Sequence, residues 1–566
     1  MHYYINIILG WGILFLFLYG MGDIFNILIK RFLKISFNTI PYKVLIGFCI
    51  SLLLLGILHL FLPLNLTLLV ILLVVCSFSI GSLIFNLFKQ KRKVSVLPNI
   101  PLILIVVSGG LLLLLFLNGT LGDKYVYDQG YYYLQILKWY QQYPIVLGVA
   151  NIHGRFGFNN SNFLLFSLFD NLNLLAKDTN WINTGLGLFT ISFSLWNLYK
   201  VVKSKVYDIS KIFLGFIWLP ICIYLFSNSS KSLISFSPDN YVFFLELIIV
   251  GVLISFRNIS EYRFKKKFLL VLILASTLFS IKLSGALFGL GAVILLLVLT
   301  VKRFTFKGLL KYSWFWFGIG MASLIVIVTL LRSFLLSGYP FYPSSILDIN
   351  PKWSVTKEVA NGELCFVKSW ARERSSDCES ILKDWGWFDS WNKEFRSEAV
   401  WPYLLIVSIF LTGYLFVKKK LKRIDIVGIY IILLLSLLYW FFIAPDPRFA
   451  LGIFWSFILL SGSILISEYR SVVAYSIFMD LIILVVLLSN ISLTRIEQGD
   501  VDWSNQYLKE EEFRGTDSGI KIGMPRKGVD CLDQELICTP YFDSRLKYID
   551  ESKGVRGGFY IDRGIE

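Results

Sequence analysis

The run LSGALFGLGAVILLLVLTV, from Leu283 to Val301, decides the fold class. It contains no charged residue, and Lys302 and Arg303 follow it directly. A run of roughly 17–25 apolar residues is long enough to cross the hydrocarbon core of a bilayer as a helix. Similar runs lie at Leu102–Leu117 and Ile426–Ile443. We therefore predict an all-α, polytopic membrane protein.

The composition agrees with this prediction. Of the 566 residues, 56% are hydrophobic and only 16% are charged, whereas soluble domains carry about 25% charged residues. The net charge of +16 could indicate nucleic acid, but lysines and arginines lie in short clusters between apolar runs, which is the positive-inside pattern of membrane proteins. We therefore predict a lipid bilayer and no nucleic acid as partner. The clusters begin at Lys30, Lys89, Lys200, Arg263, Lys302 and Lys418.

Counting apolar runs against these clusters predicts about fourteen transmembrane helices in the bacterial inner (cytoplasmic) membrane, with the first span retained because no small-residue cleavage site follows it. A span between Phe163 and Leu175 would place the Lys200 cluster outside, so this segment is predicted to be an interfacial helix on the outer surface. The predicted segments are three N-terminal spans (1–98), a membrane core (99–335) with an outer loop (118–180), an extracytoplasmic loop (336–400), the C-terminal spans (401–488) and an extracytoplasmic tail (489–566).

Four cysteines test the predicted topology. Cys365 and Cys378 lie close together in one predicted extracytoplasmic segment, and Cys531 and Cys538 in another. Disulfides persist in that oxidising compartment, so we predict one disulfide in each pair. Four free thiols are the alternative. A zinc site has less support, because no histidine lies near either pair.

Polar residues in so apolar a chain are the functional candidates. Six groups of them fall near the outer ends of predicted spans. They are Tyr125–Tyr133, with Asp128, Tyr131 and Tyr132; Asn151–Asn160, with His153 and Arg155; Ser237–Asn240, with Asp239; Lys282; Ser337–Pro343, with Tyr339; and Ala444–Phe449, with Arg448.

Each group has a chemical and a structural interpretation. A carboxylate such as Asp128 can accept a proton from a sugar hydroxyl, and a guanidinium binds phosphate with two parallel hydrogen bonds. The structural alternatives are that the tyrosines are interfacial anchors, that Pro238-Asp239 only begins a helix, that Arg448 pairs with Asp446, that Lys282 extends to the membrane surface, and that His153 is structural.

The order of these features resembles the GT-C superfamily of integral-membrane glycosyltransferases. The stretch Asp128-Gln129-Gly130-Tyr131-Tyr132, followed by the aromatic segment Leu134–Tyr140, is similar to the first outer loop of that superfamily. Ser237-Pro238-Asp239 is similar to its later acidic motif. Gln129 stands where the family often has a second acidic residue. The whole chain also resembles an uncharacterised bacterial family of multi-pass proteins, in which His-Gly-Arg, Ser-Pro-Asp, Pro-Asp-Pro-Arg-Phe and Cys-Thr-Pro-Tyr recur.

The GT-C resemblance implies a GT-C-like core and transfer of a sugar from a polyprenyl-phosphate donor to an extracytoplasmic glycan, lipid or protein, with inversion. Asp128 and Asp239 are then the catalytic candidates, with a possible divalent metal between them. Substrate and phosphate contacts are predicted for His153, Arg155, Lys282, Arg448, Tyr131, Tyr132 and Tyr339. Five tryptophans are candidates for stacking on sugars or for anchoring the loop: Trp353, Trp370, Trp385, Trp387 and Trp391.

Three other functions remain open at this point. A polysaccharide polymerase or ligase of the envelope would use the same arginines without needing Asp128. A transporter of lipid-linked saccharides would need an ionisable group within the membrane, for which Glu246 is the main candidate, and the sequence contains no internal repeat. A non-catalytic scaffold is the third.

Overall fold

The computed structural model describes residues 2–89, 109–110, 112–114, 116–117, 120, 127–172, 181–204, 206–226, 237–257, 259–374, 378–397, 401–418, 423–469, 511–526 and 528–564. The helices among them are α1 (His2–Leu33), α2 (Ile40–Leu58), α3 (Leu66–Lys89), α4 (Leu134–Gln142), α5 (Asn162–Asp170), α6 (Trp181–Ser204), α7 (Ile209–Gly215), α8 (Trp218–Phe226), α9 (Asp239–Leu253), α10 (Glu261–Ile281), α11 (Ala286–Phe304), α12 (Phe306–Leu309), α13 (Ser313–Ser337), α14 (Lys357–Glu373), α15 (Cys378–Lys383), α16 (Trp387–Ser397), α17 (Trp401–Val417), α18 (Ile424–Ile443) and α19 (Leu451–Tyr469).

Most of this architecture is a bundle of apolar helices. Seven described helices are long and apolar enough to cross a membrane, and three shorter ones are also apolar. The chain is therefore a multi-pass, largely α-helical membrane protein. The seven segments are Tyr4–Leu33, Ile40–Leu58, Asp239–Phe256, Leu283–Phe304, Ser313–Ser337, Ile424–Ile443 and Pro447–Glu468.

The number of spans differs from the predicted figure of about fourteen. The predicted span at 211–226 is divided into α7 and α8, α10 begins with several charged residues, and α17 has only 17 residues. The predicted spans at 99–117 and 472–488 lie outside the described residues, apart from a few positions of the first. Within the described residues, fewer helices are long and apolar enough to cross a membrane than the apolar runs predict, because short, broken and charged helices resemble spans in sequence.

Glycines allow the first two helices to approach at backbone distance. A Cβ atom added to Gly22 of α1 would lie 1.8 Å from the carbonyl oxygen of Lys43 in α2. One added to Gly47 of α2 would lie 1.8 Å from the carbonyl oxygen of Leu18. Small residues at such contacts increase van der Waals packing between membrane helices. The pair α1–α2 therefore depends on glycine at these two positions.

The helix α10 is the centre of the bundle and packs against α2, α9, α11 and α13. It is about 31 Å long at 1.5 Å per residue. Arg263 and Lys265–Lys267 lie at its beginning, and Lys282 directly follows its end. The basic cluster and Lys282 are thus at opposite ends of one helix.

The segment predicted to be an interfacial helix is a buried one. It forms α5, which has 9 residues and is only about 14 Å long, so it does not cross a membrane. Every residue from Asn162 to Phe169 is buried, and the helix packs against α2, α3 and α4. The prediction that it lies on a surface is therefore wrong, because a surface helix would expose one face.

The end of the chain forms a small folded lobe, here called the C-terminal lobe (511–526 and 528–564). Its strands are β1 (Glu511–Gly515), β2 (Lys521–Pro525), β3 (Leu546–Tyr548) and β4 (Phe559–Ile561). β1 pairs antiparallel with β2, and β3 antiparallel with β4. A disulfide joins Cys531 to Cys538, and a second one joins Cys365 of α14 to Cys378 of α15.

The Gly22 contact predicts opposite effects of one substitution at two positions of α1. Gly22→Ala places a methyl group against backbone and should lower stability by about 1–3 kcal/mol. Gly12→Ala is the matched control, because nothing lies within 4 Å of its added Cβ, and it should raise stability by up to about 1 kcal/mol. Thermal unfolding in detergent micelles measures both, and equal melting temperatures would contradict the close helix contact.

Candidate functional site

All six polar groups identified in the sequence meet at one cavity of about 460 Å³. That volume is within the range of small-molecule sites, roughly 300–1,000 Å³. The lining residues that these groups supply include Asp128, Tyr131 and Tyr132; Arg155; Asp239; Lys282; Phe341 and Tyr342; and Asp446 and Arg448. Residues far apart in sequence therefore form one site at one end of the bundle.

The cavity has two kinds of wall. One kind consists of the ends of apolar helices and includes Leu283, Leu330 and Ile453. The other consists of connecting segments and of α14, with Tyr127 and Phe366 among its residues. The charged side chains come from both kinds of wall. A ligand in this cavity can contact apolar, aromatic and charged groups at once.

The first ion pair joins Lys282 to Asp239, which is the first residue of α9. Ser237 Oγ donates a hydrogen bond of 2.9 Å to Asp239 Oδ2. Lys282 Nζ also lies 3.9 Å from the ring centroid of Phe449. A carboxylate at a helix N-terminus is stabilised by the helix dipole. Asp239 thus begins a helix, as its structural interpretation states, and it also lines the cavity. Lys282 lines the cavity too and does not extend to the membrane surface.

The second ion pair lies within the tight turn between α18 and α19. Arg448 Nη2 is 2.8 Å from Asp446 Oδ2, and Arg448 Nε donates to both carboxylate oxygens of Asp446. Burial acts to raise the pKa of Asp446, but the charge and hydrogen bonds of Arg448 outweigh it and hold that pKa below its ordinary value. The suggested pairing of Arg448 with Asp446 is what the structure shows, and both side chains line the cavity.

The third ion pair fixes Arg155 against α14. Arg155 Nε lies 2.9 Å from Glu363 Oε2, and the guanidinium lies 4.9 Å from the ring centroid of Phe158 and 5.0 Å from that of Phe366. The backbone at Gly154 is so close that an added Cβ would lie 2.4 Å from Glu363 Oε1. Burial raises the pKa of Glu363 despite the positive charge of Arg155.

Asp128 differs from the other two aspartates of the cavity. It is partly exposed and directly precedes the π-helical turn Gln129–Tyr133. Among the described residues no side chain forms an ion pair or hydrogen bond with its carboxylate, whereas Asp239 and Asp446 are each paired with a cation. Asp128 is therefore the lining aspartate that is free to accept a proton from a ligand.

Two predicted contact residues lie outside the lining. His153 is buried, and its Nδ1 accepts a 3.0 Å hydrogen bond from the backbone N–H of Arg155, so this nitrogen carries no proton. Burial, together with the nearby Arg155 charge, lowers the pKa of His153 to about 3. Tyr339 is buried, and its hydroxyl donates to the carbonyl oxygen of Val355 at 3.2 Å. Both side chains make contacts within the protein, and neither lines this cavity.

The C-terminal lobe holds the segment that carries Asp128. The backbone N–H of Leu532 donates to the Gly130 carbonyl at 2.9 Å, and Lys138 Nζ lies 3.0 Å from Asp533 Oδ1. The hydroxyl oxygens of Tyr131 and Tyr541 are 2.6 Å apart. These contacts come from the loop closed by the Cys531–Cys538 disulfide and the residues just after it. The lobe thus fixes the position of the π-helical turn.

A pre-formed metal site is not evident in the described part of the chain. No three histidine, cysteine, aspartate or glutamate side chains cluster there closely enough to hold a metal ion. Of the two carboxylates proposed as ligands, Asp239 is engaged by Lys282.

Sequence reasoning identified Trp370 as a candidate but missed Glu363 and the rest of the face of α14 that surrounds it. Leu364, Phe366, Val367 and Trp370 all line the cavity, at the spacing of one face of an α-helix. The same periodicity is visible in the sequence between residues 357 and 373 and would have identified an amphipathic helix there. Nothing in the sequence pairs Glu363 with Arg155, because more than 200 residues lie between them.

The depressed pKa of His153 predicts an acid-sensitive structure. An unfolded histidine has a pKa of about 6.5, so below that pH the unfolded chain binds a proton that the folded chain excludes. Stability should therefore fall as the pH decreases from about 6.5 to about 3, by at most about 1.4 kcal/mol per pH unit from this residue. His153→Asn keeps an acceptor for the Arg155 N–H and should reduce that slope in thermal unfolding between pH 4 and 7. An unchanged slope would show that His153 is already protonated in the folded state.

The lobe contacts predict that the second disulfide protects the Asp128 segment. In the double variant Cys531→Ser, Cys538→Ser, amide hydrogen exchange of the peptide covering residues 128–138 should become faster, on the order of tenfold, because the loop that binds Gly130 loses its closure. Cys49→Ser is a control for thiol loss, since Cys49 is a free buried cysteine. Unchanged exchange of residues 128–138 would mean that the lobe does not hold this segment.

Comparison with known proteins gives a family and no activity. No curated protein and no solved structure matches the chain. One family model, described as Domain of unknown function (DUF8201), matches residues 5–455, which is about four fifths of the chain and contains every charged residue named above as lining the cavity. The C-terminal lobe lies beyond the matched residues. The chain belongs to this DUF8201 family.

Proposed function

We propose that the protein is a GT-C-like membrane glycosyltransferase, which transfers a sugar from a polyprenyl-phosphate donor to an extracytoplasmic acceptor with inversion at the anomeric carbon. The observation that carries this proposal is the Asp128 carboxylate, which no described side chain pairs with, in a cavity that also holds Lys282 and Arg448. A base and two cations in one cavity fit a reaction in which a hydroxyl loses a proton and a phosphate leaves.

The apolar wall favours a lipid-linked donor. Leu283, Leu330 and Ile453 belong to helices that are long enough to cross the membrane. A polyprenyl chain is chemically matched to such a wall, because it gains burial of apolar surface and needs no hydrogen bonds. The donor would then present its phosphate and sugar to the charged residues at the helix ends.

The cations favour a phosphate leaving group. Lys282 and Arg448 are held in place by Asp239 and Asp446, so their positions are fixed before a donor binds. Pre-positioned charge stabilises negative charge that develops in a transition state. Arginine also has spare N–H donors for a phosphate beyond those used on one carboxylate. In this proposal Lys282 and Arg448 hold the phosphate and Asp239 positions Lys282.

The reaction follows from these positions. The acceptor hydroxyl gives its proton to Asp128 while its oxygen forms a bond to the anomeric carbon of the donor. The bond between that carbon and the phosphate oxygen breaks, and the electron pair leaves with the polyprenyl phosphate. A single displacement of this kind inverts the anomeric configuration.

The distribution of basic residues along the helices favours a cavity on the extracytoplasmic face of a bacterial inner membrane. The helices α10, α11 and α18 each have one end at the cavity, and basic residues lie at the other end of each: Lys265–Lys267, Lys302 with Arg303, and Arg423. Basic residues mark the cytoplasmic ends of spans. The two disulfides agree with this orientation, since they lie in segments on the cavity side.

A transporter of lipid-linked saccharides is the second candidate, and Glu246 is the observation that favours it. This side chain is only 1% exposed within α9, and its Oε2 has no hydrogen-bond partner among the described residues. A buried ionisable group within a span is a frequent feature of proton-coupled transport. Glu246→Gln should leave glycosyl transfer unchanged if the protein is a transferase, and should abolish transport if it is a transporter.

The role of Asp128 gives the most direct mutational prediction. Asp128→Asn should reduce transfer by about 10²–10⁴-fold, the range for removal of a general base. The protein level and melting temperature should not change, because no described side chain depends on this carboxylate. The assay follows the transfer of labelled sugar from polyprenyl-phosphate donors by the protein in nanodiscs.

Asp389→Asn is the matched control for this prediction. Asp389 is exposed on α16, outside the cavity lining, so the same change of charge there should leave transfer at the wild-type rate. An Asp128→Asn protein that still transfers sugar at that rate would end the assignment of Asp128 as the base.

A further inference from the structure

The aromatic residues of the cavity form two stacked pairs. Phe366 and Trp370 lie one turn apart on α14, with ring centroids 5.6 Å apart and planes inclined by 19°. Tyr127 and Tyr131 form the other pair, with centroids 5.3 Å apart and planes inclined by 29°. All four rings line the cavity, and Asp128 follows Tyr127 directly. The candidate base therefore lies beside a second, aromatic part of the same cavity.

One ring of each pair, Trp370 in the first and Tyr127 in the second, is accessible. Trp370 is 39% exposed and Tyr127 is 48% exposed, although both contact other rings. Most aromatic rings of the described bundle are instead buried. An exposed ring in a cavity offers a flat apolar surface to a ligand.

Arg155 lies beside the first aromatic pair. Its guanidinium is 5.0 Å from the ring centroid of Phe366, and it is also 5.8 Å from that of Tyr132, the residue after Tyr131. Glu363 lies 2.9 Å from it, so this part of the cavity has hydrogen-bonding groups with little net charge. Arg155 is only 8% exposed and keeps this position by packing as well as by the ion pair.

This combination of groups fits a carbohydrate. A pyranose ring has apolar C–H faces that stack on aromatic rings, and hydroxyls at its edge that bond to carboxylates and guanidinium groups. A lipid acceptor would use the apolar wall formed by the helix ends. An anionic acceptor would meet Arg155, whose side chain is paired with Glu363 and only 10% exposed, whereas the paired side chains of Lys282 and Arg448 are 23% and 35% exposed. The low accessibility of the Arg155 charge therefore favours an uncharged sugar at this end of the cavity.

One disulfide and two hydrogen bonds hold α14, which carries Phe366 and Trp370, in place. The disulfide between Cys365 and Cys378 ties α14 to α15 next to Phe366. Near the C-terminal end of α14, Arg372 donates hydrogen bonds to the carbonyl oxygens of Phe442 and Ile443, at 2.7 and 3.0 Å. A surface fixed before binding loses less conformational entropy when a ligand binds.

We propose that Trp370 and Phe366, with Tyr127 and the Arg155–Glu363 pair, form the acceptor subsite and that the acceptor is a neutral saccharide. This inference rests on the proposed glycosyl transfer, whose donor it leaves unchanged. It narrows the acceptor from a glycan, lipid or protein to a glycan. The sugar ring lies on Trp370 and directs one hydroxyl to Asp128.

Binding of saccharides tests the subsite without any turnover. The probes are an array of neutral and acidic bacterial oligosaccharides, with serine- and threonine-containing peptides and phospholipid vesicles as the competing classes. The wild-type protein in nanodiscs should bind neutral oligosaccharides. Trp370→Ala should weaken that binding by about tenfold, and Trp370→Tyr should restore most of it, because the tyrosine ring also stacks.

Trp385→Ala is the matched control for Trp370→Ala. Trp385 is 58% exposed but stacks on Trp387 and lies outside the cavity lining, so its removal should leave saccharide affinity unchanged. Equal losses in the two alanine variants would overturn the subsite. Binding of peptides or vesicles in place of saccharides, or no saccharide binding at all, would also overturn it.

A separate measurement distinguishes failure of the subsite from failure of the proposed function. Turnover of polyprenyl-phosphate sugars by the wild-type protein, with water as acceptor, reports on the donor half alone, because no saccharide takes part in it. Donor turnover with saccharide affinity that does not depend on Trp370 refutes the subsite and leaves the transferase. Saccharide affinity that depends on Trp370 in a protein that turns over no donor refutes the transferase and leaves the subsite.

Discussion

Buried charges must be paired, and this constraint shapes the end of the bundle that holds the cavity. Removing a charged group from water without compensation costs several kcal/mol. The chain meets this cost with three ion pairs: Asp239–Lys282, Asp446–Arg448 and Arg155–Glu363. The first links α9 to the end of α10, the second stiffens the turn between α18 and α19, and the third links the segment before α5 to α14. The cavity is the space that these three connections leave between the helix ends.

The same constraint distinguishes Asp128 from the other carboxylates of the cavity. Among the residues that the structure describes, no side chain pairs with its carboxylate, and the C-terminal lobe fixes the position of its segment through Leu532 and Tyr541. A carboxylate that lacks a pairing cation in a partly apolar cavity lowers the stability of the fold, and residues of this kind are commonly retained for a function. Catalysis commonly uses such a group as a base. The lobe lies beyond the part of the chain that the family model covers, so the segment carrying Asp128 is held by a part of the chain outside the family domain.

Much of the membrane architecture could be predicted from the sequence, because apolar length and basic clusters act locally. The helices at Leu283–Phe304 and Ile424–Ile443 lie where the apolar runs predict them. The count of spans could not be obtained from hydropathy alone, since the break between α7 and α8 falls four residues before Pro220, which lacks the N–H needed to continue the helix. The burial of α5 depends on packing against three neighbouring helices.

The candidate site was predictable in its members and much less in its contacts. Six polar groups could be recognised because only 16% of the residues in this chain are charged. Which of them pair with one another depends on the folded geometry, so the Arg155–Glu363 contact and the inward position of Tyr339 could not be predicted. His153 has the residue type of a phosphate ligand but the environment of a buried neutral ring.

In the proposed mechanism one cavity receives the lipid-linked phosphate at the helix ends, and photo-crosslinking can locate that phosphate. A polyprenyl-phosphate sugar with a photoreactive isoprene unit near the phosphate would be bound to the protein in nanodiscs, irradiated, and its attachment sites mapped by mass spectrometry. We expect attachment to peptides containing Leu283, Leu330 or Tyr439, and competition by unlabelled polyprenyl phosphate. Attachment spread over the lipid-facing sides of α1 and α3, without competition, would contradict it.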